Sequence, residues 1–257
     1  KVNASKYDEA TIQAAITAFD GNNGLTGFDE VTDTTGTALA DAGVVVGTAA
    51  RQMISGTDAI ILQGVEACVG GKVTDGGTGS AQIKITDAAA CGLQQGDIVV
   101  VSNCETAEAF GITSNAASTN TLAHGTNFNS NNKLDGTYED ESYIFKPKFT
   151  VFYLGNGASG EPALYMQSLE HAGKATAYEA FEISEGIEDV DFIFGEDTDG
   201  DGTVNRYVAA GAVGDWNAVL AVRSTLVARS QLRATNTGDT RIRVNYETTS
   251  AIRNRVN

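Results

Sequence analysis

With 257 residues, 42% of them hydrophobic, the chain is long enough and apolar enough to bury a core, which excludes a disordered protein. Its 29 glycines against two prolines are typical of a loop-rich β protein. The net charge of −16 disfavours nucleic acid and anionic membranes as partners, and no run of about 18 apolar residues is present to form a membrane-spanning helix.

The N-terminal residues predict a short amphipathic helix. Ser5 and Asp8 resemble a capping box, with Asp in place of the usual Glu. Ile12, Ile16 and Phe19 then follow at helical spacing, and a glycine ends the pattern. We therefore expect a helix over residues 5–20.

From residue 58 onward, β-branched and aromatic stretches alternate with turn residues and predict strands. Residues 72–74 and 81–86 read as a hairpin, and 141–154 as an aromatic-rich strand pair. Residues 115–132, rich in Asn, Ser and Thr, predict a long surface loop. The other predicted strands cover residues 58–65, 96–102, 162–169, 186–194, 218–228 and 241–246.

The last of these strands alternates strictly between apolar and polar residues. Ile242, Val244 and Tyr246 are predicted to point inward, and the residues between them outward. One helix followed by many antiparallel strands is an α+β pattern. Because no repeat or linker divides the chain, we expect a single domain over residues 1–257, with its β-rich body at 56–257.

Three cysteines, Cys68, Cys91 and Cys104, predict one disulfide and one free thiol, as in an exported protein. Cys68 and Cys91 flank the predicted hairpin, which favours their approach. Cys104 ends the next strand, so it is also a candidate partner for either of them. The sequence leaves the pairing open, and it contains no C-x-x-C motif for zinc or redox chemistry.

Catalytic motifs are missing from the sequence. It contains no G-x-S-x-G, no phosphate-binding loop and no H-E-x-x-H. The two histidines, His124 and His171, are predicted to be surface residues. We therefore expect the protein not to be an enzyme.

Arginines are concentrated at the C-terminal end, where seven of the nine fall within residues 223–257. Two interpretations of this concentration remain open. The arginines balance the acidic body on a solvated strand face, or they form a surface for an acidic partner or a polyanion such as DNA. The candidates for that surface are Arg241, Arg243, Arg253 and Arg255.

The strongest chemical signal is a run of alternating acids, Asp197, Asp199 and Asp201, interrupted by glycines. Three carboxylates at this spacing wrap around one point, and Ca²⁺ binds several oxygens at about 2.3–2.6 Å. Thr203 falls where a calcium loop supplies a backbone carbonyl, and Asn205 where it supplies a further oxygen. The sequence therefore predicts a structural Ca²⁺ site with these five residues as ligands.

The predicted calcium site is not an EF-hand. Val208 occupies the twelfth loop position, where an EF-hand has a bidentate glutamate. The closing ligand must therefore come from elsewhere, and Glu188, Glu196 and Asp215 are the candidates.

Several segments, in this order, resemble PilW-type minor pilins of type IV pili. The segments cover residues 56–62, 96–110, 185–190, 194–207, 215–216, 219–224 and 246–255. Asn103 stands where the family usually has Asp. The resemblance implies a type IV pilin-like fold, an N-terminal helix packed on an antiparallel sheet with long loops. Residues 1–20 would be the soluble remainder of that helix, without its hydrophobic, membrane-anchoring first half.

The resemblance also implies a structural role. Such subunits join other minor pilins and the major pilin, help to prime pilus assembly, and form part of the tip complex, in some systems beneath a PilY-type adhesin. They pass from the inner membrane and periplasm to the extracellular pilus. The alternative function is a pilus-associated adhesin or a DNA-binding module, of which DNA binding is not favoured.

Overall fold

Antiparallel strands account for nearly all of the regular structure in the computed structural model, which describes residues 24–77, 79–126, 129, 132–169, 178–230 and 241–252. The strands, in chain order, are β1 (Leu25–Val31), β2 (Thr57–Asp75), β3 (Gln82–Ile85), β4 (Ile98–Ser102), β5 (Ala107–Gly111), β6 (Thr121–Ala123), β7 (Tyr143–Asn156), β8 (Pro162–Leu169), β9 (Tyr178–Glu185), β10 (Ile187–Glu196), β11 (Arg206–Ala209), β12 (Val219–Arg229) and β13 (Arg243–Ala251). Two helices of four residues each, α1 (Ala38–Asp41) and α2 (Ala116–Thr119), and two short 3-10 turns complete the described elements.

The predicted helix at residues 5–20 lies outside the described residues. What the structure describes is mostly antiparallel β-sheet with very little helix, which confirms the β part of the predicted fold class.

Two compact units make up the chain. The first unit is built mainly from residues 63–149, and the second from 24–62, 150–168, 180–230 and 241–252. Strands β2 and β7 each contribute residues to both units. Neither unit is one continuous stretch of sequence. The single domain over residues 1–257 stays a prediction.

The first unit is organised around buried strand β4. Its residues Ile98 to Val101 are all buried, as expected for the strand predicted at 96–102. Strand β4 pairs with β5 on one side and with the start of β7 on the other. The predicted hairpin is confirmed, because β3 pairs antiparallel with the end of β2. The predicted pair of strands at 141–154 is wrong, since this stretch lies in the single long strand β7.

A disulfide joins Cys68 to Cys91 within the core of the first unit, with a Cα–Cα distance of 5.1 Å. Cys104 is an exposed free thiol. The structure thus decides between the pairings that the sequence left open. Both bonded cysteines are buried among the apolar side chains of β2, β4 and β5.

His124 corrects the expectation of a surface histidine, since only 1% of it is exposed. Its ring packs on Phe110 with 5.0 Å between the ring centroids. The predicted loop at 115–132 is in fact partly regular, because helix α2 and strand β6 lie within it. Strand β6 pairs with β3 and draws the following histidine into the core. His171 lies outside the described residues.

The second unit contains a four-stranded sheet in the order β11–β10–β12–β13. Strand β1 pairs with the start of β2, and β7 pairs with β8, in the same unit. Phe194 of β10 is fully buried and meets Trp216 edge to face, with 4.8 Å between ring centroids. Gly27 of β1 leaves room for this pair, because a Cβ there would lie 2.2 Å from the Phe194 ring.

Asp58 is a buried acid that connects β1 to β10 within the second unit. Its carboxylate accepts hydrogen bonds from the backbone N–H of Glu30 at 3.0 Å and of Phe192 at 2.9 Å. Burial contributes most to raising the pKa of Asp58, and the charges of Asp29 and Asp191 add to it; against the lowering effect of these hydrogen bonds, the pKa rises to about 6.

The C-terminal strand departs from the expected burial. Its alternation is present, but Ile242, Val244 and Tyr246 are 65%, 44% and 60% exposed instead of buried. Strand β13 is an edge strand, and every residue in it is exposed. The apolar residues therefore share one face of the sheet, as predicted, but they extend that face beyond the core of the second unit.

Candidate metal centre

The predicted calcium ligands lie in the connection between β10 and β11, residues 197–205, which we call the acidic loop. The two strands form an antiparallel hairpin in which Glu196 is opposite Arg206 and Gly195 is opposite Tyr207. The loop therefore begins and ends on a fixed pair of strands. Because β10 is the second strand of the four-stranded sheet, the hairpin holds the loop at one end of that sheet.

Asp197 is the centre of the acidic loop. Its Oδ1 accepts a hydrogen bond from the backbone N–H of Gly200 at 2.7 Å, and its Oδ2 accepts one from Gly202 at 2.8 Å. Both glycines have positive φ, at 77° and 84°, a conformation that glycine adopts without strain. The pKa of Asp197 is lowered, and the hydrogen bond from the backbone N–H of Gly202 contributes most to this shift. The carboxylate of Asp197 is therefore charged and fixed in position.

The other predicted ligands take part in the same turn. Oδ1 of Asp201 accepts hydrogen bonds from the backbone N–H of Thr203 at 2.8 Å and from its hydroxyl at 2.5 Å. Oδ1 of Asn205 accepts one from the backbone N–H of Thr198 at 2.6 Å. The side-chain oxygen of Asn205 thus closes the loop on itself, which makes Asn205 a loop-closing residue as well as a predicted ligand.

Carboxylate oxygens of Asp197, Asp199 and Asp201 all lie within 4.8 Å of one another. Oxygens that share one Ca²⁺ ion at about 2.3–2.6 Å are separated by at most about 5 Å, so the spacing fits a shared cation. Asp197 is half-buried, while Asp199 and Asp201 are exposed. This group of carboxylates could hold a metal ion with water completing its coordination.

The structure also shows where the three candidate closing ligands lie. The twelfth loop position, Val208, lies in β11 opposite Phe194. Glu188 is paired with arginines, as described below, and Asp215 caps a 3-10 turn by accepting a hydrogen bond from the backbone N–H of Asn217. Glu196 is the most buried of the three.

Glu196 is the buried anchor at the base of the acidic loop, with 2% of its surface exposed. Its Oε1 accepts hydrogen bonds from the backbone N–H groups of Gly214 and Asp215, and its Oε2 pairs with Arg206 at 2.7 Å. Burial acts to raise the pKa of Glu196, but these partners together outweigh it and leave the pKa lowered. The sequence placed Glu196 among the three candidates for the closing ligand and missed its role in tying the loop to residues 214–215.

A cluster of two acids and three arginines lies elsewhere in the second unit, and we call it the ion-pair cluster. Arg241 binds Glu161 through two hydrogen bonds at 2.7 and 2.9 Å. Arg243 binds Glu188 at 2.5 and 2.9 Å. Arg229 pairs with both acids and so connects the two halves. The arginines hold the pKa of each glutamate below its usual range.

The ion-pair cluster bears on the predicted polyanion surface. Arg241 and Arg243, two of its four candidates, are engaged with acids of the same chain. Arg253 and Arg255 lie outside the described residues. Strand register decides these pairings, and a local pattern could not have shown them. Arg223, another C-terminal arginine, lies 4.1 Å above the centre of the Tyr207 ring.

Residues 151–255 match the family model of PilW, described as type IV pilus-assembly protein W. This part of the chain is therefore similar to a PilW domain. It contains the acidic loop, the ion-pair cluster and the four-stranded sheet.

Neither the curated proteins nor the solved structures contain a match to this chain. Within the residues that the structure describes, no helix combines the length and apolarity that crossing a membrane requires.

Proposed function

We propose that the protein is a minor pilin that helps to prime type IV pilus assembly and forms part of the pilus tip complex. The PilW match over residues 151–255 is the observation that carries this proposal. The proposed partners are other minor pilins and the major pilin, with a PilY-type adhesin at the tip. The protein would reside in the inner membrane and periplasm before assembly and in the extracellular pilus afterwards.

The disulfide is consistent with that route. Disulfides persist in the periplasm and outside the cell, where the environment is oxidising. The Cys68–Cys91 pair joins residues 23 positions apart inside an apolar core. A subunit exported before assembly can form such a bond.

We propose in addition that the acidic loop binds Ca²⁺ through Asp197, Asp199 and Asp201, with the carbonyl of Thr203 and with Asn205 as further ligands. The 4.8 Å grouping of the three carboxylates supports this assignment. The ion would offset the repulsion among three like charges and fix the β10–β11 turn. Its role would be structural, since no catalytic motif accompanies it in the sequence.

Co-purification tests the proposed partners directly. The tagged full-length protein should recover other minor pilins from detergent-solubilised, cross-linked membranes of its own organism. A tagged periplasmic protein of similar charge is the control. Recovery of no pilin above that control would contradict the proposal.

Calorimetric titration tests the metal site independently of the pilus. Ca²⁺ should bind with a stoichiometry near one, and the Asp199→Asn variant should lose the binding. The matched control is Asp140→Asn, which removes an exposed acid of the first unit. Equal binding by both variants would place the ion elsewhere.

A further inference from the structure

Strand β13 is a long, regular edge strand in which Arg243 and Glu247 are the two charged residues. It has nine residues, all exposed, and pairs with β12 without a register shift. It contains no lysine and no proline, the residues that commonly block the addition of another strand. In the part of the chain that the structure describes, β13 pairs with β12 alone.

The backbone of β13 presents hydrogen-bonding groups toward that open edge. At one end of the β12–β13 pair, Ser230 donates its N–H to the carbonyl of Ile242, and at the other Ile252 donates to Leu220, both at 2.8 Å. Because the pairing between these points is continuous, the even-numbered residues of β13 bond to β12. The odd-numbered residues, including Asn245 and Glu247, therefore direct their N–H and C=O groups away from β12.

The order of side chains in β13 is complementary to itself. Two copies related by a two-fold axis pair their identical strands antiparallel. With the axis at Asn245, Arg243 lies opposite Glu247 of the second copy, and Val244 opposite Tyr246 of the second copy. Moving the axis by one residue places Arg243 opposite Asn245 or Thr249 and loses the charge match. The odd-numbered residues that face outward meet one another in this register, as hydrogen-bonded pairs require.

Arg243 can serve two acids in this arrangement. An arginine has five N–H donors, and Arg229 of the same chain already pairs with both Glu161 and Glu188. The apolar residues Val244 and Tyr246 would cover each other across the axis, which accounts for their exposure in a single copy.

We propose that β13 is a homodimerisation surface, on which two copies of this chain join their β13 strands antiparallel about a two-fold axis at Asn245. The four-stranded sheet then continues through β13 into the sheet of the second copy. This surface is separate from the acidic loop and does not depend on the proposed role in the pilus.

Cross-linking tests the axis position. In a Cys104→Ser background, which removes the exposed free thiol, Asn245→Cys places two thiols directly across the axis, about 5.5 Å apart between Cα atoms. Thr248→Cys is the matched control, because the two copies of that residue are offset by six positions, or about 20 Å. A short bis-maleimide should link Asn245→Cys into dimers at least about tenfold faster. Equal rates, or no dimer from either variant, would overturn the proposal.

A charge reversal tests the contacts across the axis. Glu247→Lys sets two like-charge pairs in place of the two Arg–Glu pairs and should weaken the dimer by about tenfold in sedimentation equilibrium. Glu66→Lys makes the same charge change at an exposed site of the first unit and should leave the dissociation constant unchanged. A wild-type chain that stays monomeric up to about 100 µM would contradict the proposed dimer. In that case β13 would be covered by another part of this chain or by a different protein.

Discussion

The two units of this chain are stabilised in different ways. The first contains all three cysteines, and a disulfide ties β2 to the connection between β3 and β4. The second contains none and relies on charged groups that bridge its strands, namely Asp58, Glu196, the ion-pair cluster and the acidic loop. A covalent bond responds to reductant, whereas charged groups respond to pH, salt and chelators. We therefore expect reductant to affect mainly the first unit, and pH, salt and chelators to affect the charged groups of the second.

Removing the disulfide of the first unit should have the largest effect on stability. Replacing Cys68 and Cys91 together by Ser should lower its free energy of unfolding by about 3 kcal/mol, since the bond closes a loop of 23 residues in the unfolded chain. Hydrogen exchange at the buried amides of Val99 and Val101 measures this loss. Cys104→Ser is the control and should change nothing. An equal loss of protection from hydrogen exchange at the amides of β10 would show that the two units do not respond separately.

A buried anchor is the corresponding weak point of the second unit. Glu196→Ala should cost about 2 kcal/mol, because it leaves the N–H groups of Gly214 and Asp215 without their acceptor. Trp216, the single tryptophan of the chain, lies next to these residues and reports the loss by its fluorescence in urea. Glu196→Gln keeps an acceptor oxygen and should cost less. A Glu196→Ala protein as stable as wild type would contradict the anchoring role.

Acid should affect the two units in opposite directions. Burial lowers the pKa of His124 in the first unit, so its contribution is present above the unfolded value of 6.5 and is lost as pH falls. Asp58 of the second unit has a pKa raised to about 6, so its contribution is complete below the unfolded value of 3.8 and is lost as pH rises through 6.

Between pH 7 and pH 5 we therefore expect the first unit to lose stability, while the second gains about 1 kcal/mol as Asp58 takes up a proton. Hydrogen exchange in each unit measures both changes. His124→Leu should flatten the response of the first unit alone, and Asp58→Asn that of the second. A parallel loss in both units would mean that other groups control the pH dependence.

Chelation should affect the second unit alone. EDTA should lower the melting temperature followed by Trp216 fluorescence by a few degrees, and Ca²⁺ should restore it, since an ion that binds only the folded state stabilises it. Asp199→Asn should remove the response, and Asp140→Asn should keep it. A melting temperature that ignores both EDTA and Ca²⁺ would leave the acidic loop as a turn without a metal.

The smallest effect concerns the exposed end of the ion-pair cluster. Arg243→Met should cost about 0.5 kcal/mol, because the side chain of Arg243 is 40% exposed and its pair with Glu188 is screened by solvent. The loss should shrink in 1 M salt. Arg241→Met is the comparison within the cluster. Because the side chain of Arg241 is more buried than that of Arg243, this substitution should lower the free energy of unfolding by more. Equal losses of stability would show that burial does not determine how much each ion pair contributes.

The sequence predicted the strands well where the signal is local. The β-branched run of β12 and the apolar run of β4 identified both strands to within about two residues. The grouping of carboxylates in the acidic loop was found for the same reason, since Asp197, Asp199 and Asp201 are close neighbours in sequence. The PilW resemblance was confirmed over residues 151–255.

Burial was predicted less well, because it depends on packing between distant residues. Nothing around His124 indicates that β6 will carry it onto Phe110. The alternation of Val244 and Tyr246 shows that they share a face, but not that the core ends before reaching them. The partners of Glu161 and Glu188 depend on strand register, which brings together residues 41 to 80 positions apart.

Surface piliation tests the central claim most directly. Deleting the gene from its own organism should reduce the pili recovered by shearing, and the full-length gene supplied in trans should restore them. The Asp199→Asn gene should restore them less well than the Asp140→Asn gene if the acidic loop stabilises the subunit. Normal numbers of surface pili in the deletion strain would contradict a role in priming pilus assembly.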